Sequence, residues 1–415
     1  MVIVTGTATS AGDWWACWAD DGSQPATWFV RRDVMDQLAE SVRAAMPRLD
    51  PDDQLHVGAL AQPDQEWHLV SSLARRLLPK QLRRRLAAGE PLRLLPAPSC
   101  SPVPWELLPL GATPDAPRLV ERTTLSLIPP VVRRDVDPTL TVETWSQRRE
   151  QPPLYVVDPD TPAGPVINDP APWRTRARVR AGRNGRGPDG AVAARIDRRW
   201  LASRLPGRSR LLYVGHVVQP SAEPDQVGLM LGCSLKLWSA NPAQDEGRLL
   251  LTAADLVRGT RGAGDATPEQ LPAAAWSGAG EGSPIEIDGA RLWPMPPRVG
   301  LVACRSGDDL AHPEPYGLVT AMIDSGAETV VATRWALVSD QGYRILGAAG
   351  TPFAQLAEAV DQALTAADPV HELAAFQREQ LAAWRRTQAL EYAPLGWAAL
   401  TTYQAWEQAE AEESR

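Results

Sequence analysis

Residues 210–216 read RLLYVGH, and residues 298–307 read RVGLVACRSG. Each is a short apolar burst bounded by loop residues, and each ends on a chemically active side chain, His216 in the first and Cys304 in the second. A burst that is apolar at successive positions has no polar face to turn towards water. It therefore reads as a strand covered on both sides, as in a parallel sheet. In open α/β sheets, ligands bind in the crevice outside the carboxyl ends of the strands. An imidazole and a thiol at two such ends point to a cysteine nucleophile served by a histidine base.

The flanking sequence supports that sheet. Leu154–Asp158 (LYVVD) reads as another strand, and Trp200–Leu205 as a short helix leading into the His216 strand. Gly228–Gly232 reads as a hairpin strand, and Thr252 as the N-cap of a helix over Ala253–Val257. After the Cys304 strand, Leu318, Val319, Met322 and Ile323 fall at helical spacing within Tyr316–Ser325, with Gly326 as the stop. Thr329–Ala332 is the next buried strand, Phe353–Ala366 and His371–Arg386 are helices, and Trp397–Tyr403 is a last strand. Strands alternating with helices from about residue 150 onward predict an α/β fold, a mostly parallel central sheet with helices on both faces. Residues 134–150, 159–195 and 259–288 read as linker or loops, the second carrying six closely spaced arginines.

The first 85 residues form a smaller N-terminal α+β region, with strands at Val2–Thr5 and Thr27–Val30 and a helix over Asp33–Ala45. Five tryptophans, Trp14, Trp15, Trp18, Trp28 and Trp67, concentrate there and read mainly as core or interface filler. The region either docks a partner or completes the sheet. Residues 68–90 are Arg-rich and amphipathic, broken at Pro79, and read as a solvated helix face; Leu92–Leu95 is a short strand.

Composition narrows the function. The 415 residues are 44% hydrophobic, enough for a sizeable core, and carry a net charge of −8. That balance argues against nucleic acid or an anionic membrane as the main partner. The N-terminus lacks the basic start and apolar core of a secretion signal, and no apolar stretch is long enough to span a bilayer. Cys17, Cys100, Cys233 and Cys304 are scattered, which argues against a disulfide framework or a zinc site and suits a reducing cytoplasm. Nothing implies a metal or a cofactor. His312, in the loop after Cys304, is the rival base to His216, and no Gly-x-Ser-x-Gly elbow supports a serine hydrolase.

The two bursts also belong to a series of boxes. Ala303-Cys304-Arg305-Ser306-Gly307 resembles the Ala-Cys-acidic-Ser/Thr-Gly box of the CHAT domain, a caspase-like peptidase group related to separase. Pro104-Trp105-Glu106-Leu107-Leu108 resembles its opening Pro-Phe-Glu-Leu-Leu box. The run Ser325–Trp335 followed by Asp340 resembles its Gly-Ala turn and Val-Val-Ala-x-x-Trp strand, and Pro394-Leu395-Gly396-Trp397-Ala398 its closing element. Val217 stands where the family has Gly after the histidine, and Arg305 where it has an acid after the cysteine.

This resemblance covers about residues 90–405. It implies a caspase-like three-layer fold, with residues 86–150 as the first part of the CHAT region, 151–408 as the catalytic domain and 409–415 as an acidic tail. It further implies a cysteine endopeptidase that cuts a protein partner in a bacterial defence or regulated-death system, often activated by another protein. His216 and Cys304 would form the dyad, and backbone amides at Gly215 or Val217 and at Cys304 the oxyanion hole. For substrate binding, Asp340 would favour a basic side chain, unless it is a helix cap or turn residue. Arg305 and Arg334 would instead favour an acidic one, and apolar choices stay open. The competing expectation is a caspase-like module that has lost catalysis and serves assembly.

Overall fold

A computed structural model describes residues 1–19, 24–49, 55–129, 143–181, 190–192, 194–218, 226–234, 244–245, 248–261, 286–287, 289–304 and 316–405. Arg305, His312, the tail 409–415 and most of the 259–288 loop lie outside the described residues.

Fourteen strands join one sheet among the described residues. In chain order they are β1 Val2–Thr9, β2 Gly12–Ala19, β3 Ala26–Arg31, β4 Leu92–Leu95, β5 Leu125–Leu127, β6 Leu154–Val157 and β7 Gly190–Val192. Then follow β8 Arg210–Val218, β9 Gly228–Ser234, β10 Gln244–Asp245, β11 Arg248–Thr252, β12 Arg298–Cys304, β13 Thr329–Thr333 and β14 Leu400–Gln404. The spatial order is β10-β11-β9-β8-β12-β13-β14-β5-β4-β1-β2-β3, with β6 and β7 branching from β8.

Two parallel runs make up the middle. One contains β7, β6, β8, β12 and β13; the other contains β14, β5, β4 and β1. They meet at the antiparallel seam between β13 and β14. Residues Val2–Arg31 thus extend the same sheet as the His216 and Cys304 strands, through β1, β2 and β3.

Both faces are covered. Leu211, Leu212, Tyr213 and Val214 alternate across the pleat and are all buried, as are Val299, Leu301 and Val302. One face carries the helix Pro352–Ala363: a Cβ added at Gly300 would lie 2.7 Å from Val360 and 2.9 Å from Leu364. A second group of helices, Arg198–Arg204, Ala253–Arg258, Gly289–Leu292 and Tyr316–Asp324, packs together through the Arg198–Asp255 ion pair and the Ser325 hydroxyl on the Leu256 carbonyl. The expected α/β fold with a mostly parallel central sheet is met.

The helix over Ala253–Arg258 begins as the sequence predicts. Thr252 accepts the Asp255 amide, while the Asp255 carboxylate accepts from Thr252, a reciprocal cap. Three local expectations are corrected. Within the supposed loop 159–195, Ala171–Ala181 is helical. Its order comes from tertiary burial of Trp173, 2% exposed and packed on the Tyr155 ring, and from Arg176 bonding Glu358 at 2.6 Å. Within the supposed linker 134–150, Trp145–Arg148 forms a helical turn, fixed by the Arg298 guanidinium 3.7 Å above the Trp145 ring. The last strand starts at Leu400, not Trp397, because Pro394–Trp397 makes a short helix that begins with proline in the first turn. Among the described residues no helix is long and apolar enough to cross a membrane.

Candidate functional site

Strands β8 and β12 run parallel in unbroken register, from Arg210 opposite Arg298 to His216 opposite Cys304. The two sequence bursts are therefore one structural object, laid side by side with their reactive ends level. Neighbouring strands lie roughly 4.8 Å apart, so the two terminal backbone positions are adjacent.

On its other edge β8 changes partner at this level. It pairs in parallel with β6 as far as Val214 opposite Val157, then antiparallel with β9 from Val217 opposite Leu229. The gap between these ladders is occupied by the turn that follows β6, at the carboxyl end of three parallel strands.

His216 is 3% exposed, and its Nε2 lies 2.9 Å from the carbonyl oxygen of Gly164 in that turn. A carbonyl only accepts, so His216 meets Gly164 through a protonated Nε2. Gly164 sits at φ +81°, where an L side chain is strained. The His216 carbonyl lies 2.7 Å and the Met230 carbonyl 2.9 Å from the buried Tyr213 hydroxyl, which thereby ties β8 to β9. Gly215 is required here, since a Cβ would meet the Tyr213 hydroxyl at 2.8 Å and Pro159 at 3.1 Å.

Asp158 is the group that sequence reasoning passed over. It is 5% exposed and adopts φ +51°, and its amide donates to the Val214 carbonyl at 2.7 Å. Its Oδ1 accepts the Val166 amide at 2.9 Å. Burial pushes its pKa up, against the Val166 and Ile167 amides and the charge of His216, which pull it down. The signal was present: LYVVD is a third apolar burst that ends on a titratable side chain, directly after Val157, which pairs with Val214.

The predicted substrate-binding residues separate. Arg334 is withdrawn from that set: it is 2% exposed and its guanidinium is bidentate on Glu106, at 2.6 and 2.7 Å, with the Thr401 hydroxyl at 2.7 Å. It fastens the Pro104–Leu108 segment to the sheet and has no charge to offer a substrate. Asp340 is fully buried, and its Oδ1 accepts the Phe353 and Ala354 amides at 2.9 and 3.4 Å, a cap on the helix Pro352–Ala363. Burial raises its pKa more than these amides, that of Asn168 and the charge of Arg344 lower it. Of the other cysteines, Cys17 and Cys100 are buried, and burial pushes both thiols up, which makes them poor nucleophiles.

No family model and no curated protein matches the chain. Among solved structures it is similar to a chain of the Saccharomyces cerevisiae separase–securin complex at 3.0 Å resolution, with a TM-score of 0.45 and 8% identity over 97% of this chain and 30% of that one. A 2.6 Å structure of the same complex gives a TM-score of 0.42, again at 8% identity and with the same coverage. The chain thus spans about 30% of the length of those it matches.

Proposed function

We propose that the chain is a cysteine endopeptidase of caspase-like type, with Cys304 as nucleophile and His216 as base. The observation that carries this reading is the register of two parallel strand ends, His216 opposite Cys304. A thiol of ordinary pKa is only a few per cent thiolate at neutral pH, so a neighbouring base is needed. His216 Nδ1 would take the thiol proton as sulfur attacks the scissile carbonyl. The developing oxyanion would be held by backbone amides at Cys304 and at Gly215 or Val217. The imidazolium would then protonate the leaving amine, giving a thioester that water hydrolyses with His216 again as base.

Catalysis is assigned to residues 151–408 and the substrate to a protein partner. The CHAT-like boxes add the proposal of a defence or regulated-death setting with an activating protein. Residues 1–85, which extend the sheet, are the surface proposed for that docking. The second reading, a silent module used for assembly, draws on Val217, half-buried where the family carries glycine.

The test compares wild type with Cys304→Ala and His216→Ala in matched cells, scoring newly formed protein N-termini, together with labelling of the purified proteins by a thiol-reactive peptide probe. Both variants should abolish new N-termini, with unfolding midpoints close to wild type. A wild-type protein that neither generates N-termini nor labels selectively at Cys304 would favour the silent module.

A further inference from the structure

The turn that holds His216 is itself held at several points, and one side chain stands at its origin. Asp158 starts the turn in a left-handed conformation at φ +51°, which a non-glycine residue adopts at a cost and keeps only where its surroundings impose it. Its own amide bonds Val214, two residues before His216 on β8. Its carboxylate reaches across the turn to the Val166 amide, two residues beyond Gly164. Between these fixed points lies the Gly164 carbonyl that accepts from His216 Nε2. The far side of the turn is tied to Asp340, whose amide donates to the Val166 carbonyl at 3.3 Å, and to Arg344, which bonds the Asn168 side chain at 2.5 Å. Asp158 thus binds the histidine strand through its amide and the far side of the turn through its side chain.

We propose that Asp158 is a positioning residue: by clamping the Pro159–Val166 turn onto β8 it fixes the Gly164 carbonyl against His216 Nε2, and so holds the ring in the tautomer whose Nδ1 accepts a proton. This rests on the reading of His216 as the base, and it deepens that reading by supplying what orients the base. The carboxylate acts through the backbone of the turn, so the role requires an acceptor at Oδ1 and not a negative charge. That separates it from an aspartate that stabilises the imidazolium by charge.

The experiment uses two substitutions. Asp158→Gly deletes the carboxylate and suits the left-handed backbone, so folding is protected. Asp158→Asn keeps the acceptor and removes the charge. The tautomer is read from the ¹⁵N shifts of His216 in histidine-labelled full-length protein, assigned by its disappearance in His216→Ala. Wild type and Asp158→Asn should both show the Nε2-protonated form, and Asp158→Gly a mixture of tautomers. In turnover, Asp158→Gly should lose kcat by roughly 10²-fold with KM little changed, the size expected of a misplaced catalytic group. Asp158→Asn should restore most of it. An unchanged tautomer in Asp158→Gly overturns the proposal, as does an Asn variant as defective as the Gly variant. If no turnover is found even in wild type, the peptidase reading fails, while the shifts still decide the role of Asp158.

Discussion

The two ends of the same strands are built differently. At their amino ends, β8 and β12 begin with Arg210 and Arg298, and both guanidiniums are held by several hydrogen bonds. Arg210 bonds Asp361 at 3.2 Å and the Tyr155 hydroxyl at 2.9 Å, and that hydroxyl also bonds Asp361 at 3.1 Å. Arg298 bonds the carbonyls of Leu364, Ala366 and Ala367 beyond the helix Pro352–Ala363 while stacking on Trp145. Burial brings its pKa down to about 10, so it stays cationic at neutral pH. At the carboxyl ends the backbone turns left-handed at Asp158 and Gly164, and the buried Asp158 carboxylate accepts the Val166 amide with His216 nearby. The difference lies in what the charges hold: at the amino end they tie helices to strands, and at the carboxyl end a buried acid braces a turn.

Breaking the amino end should produce the largest loss of stability. Asp361 is fully buried against Arg210, and its removal leaves a guanidinium stranded in the core. Asp361→Ala should therefore cost about 3–5 kcal/mol, read as a fall in the denaturant midpoint. Asp361→Ala combined with Arg210→Met should recover a large part of that loss, because the stranded charge is gone. Equal losses in the single and double variants would show that the pair is not the anchor described here.

This contrast was half legible in the sequence. The bursts themselves announced buried parallel strands, because nothing else buries both sides of LYVVD, RLLYVGH and RVGLVAC. Thr252 and Gly326 announced a helix start and a helix stop through local chemistry. Arg334 could not be read correctly: its partner Glu106 lies 228 residues earlier, and only the fold brings them to bonding distance. Asp158 was visible as a strand-ending acid, but its importance comes from the Val166 amide across a turn whose shape depends on φ angles that no pattern encodes. The helix over Ala171–Ala181 was missed for a related reason, since its order comes from Trp173 packing on Tyr155 and not from its own periodicity.

A second, smaller effect separates the two ends by backbone alone. A Cβ at Gly164 meets nothing within 4 Å, so Gly164→Ala adds no clash and tests only the φ of +81°. It should lower stability by roughly 1–2 kcal/mol, the usual cost of a left-handed alanine. At Gly300 the backbone is ordinary strand, but the added Cβ meets Val360, Leu212 and Leu364 at 2.7–2.9 Å. Gly300→Ala should cost about 1–3 kcal/mol by overpacking. Relief of the Gly300→Ala loss by Val360→Ala, with no such relief for Gly164→Ala, would confirm that one end resists crowding and the other resists a change of φ.

The smallest effect is a slope with pH, and it tests whether the caps of the crevice are partly satisfied acids. Burial raises the pKa of Asp340 in the folded protein above its unfolded value, and its Oδ2 has no hydrogen-bond partner among the described residues. A carboxyl whose folded pKa is the higher one binds its proton more tightly when folded. Its favourable contribution is complete below the unfolded pKa and is lost as pH rises through the folded value. Asp340→Asn keeps an acceptor for the Phe353 and Ala354 amides and cannot ionise. The stability of wild type relative to Asp340→Asn should therefore be greatest in acid, and it should decline as pH climbs out of the ordinary carboxylate range. Denaturant midpoints of the two proteins, taken across that range, give the sign directly. A wild type that gains on the variant with rising pH would mean that the Phe353, Ala354 and Asn168 amides and Arg344 outweigh burial. Asp340 would then behave as the paired charges at the amino end do, and not as an acid held up by burial.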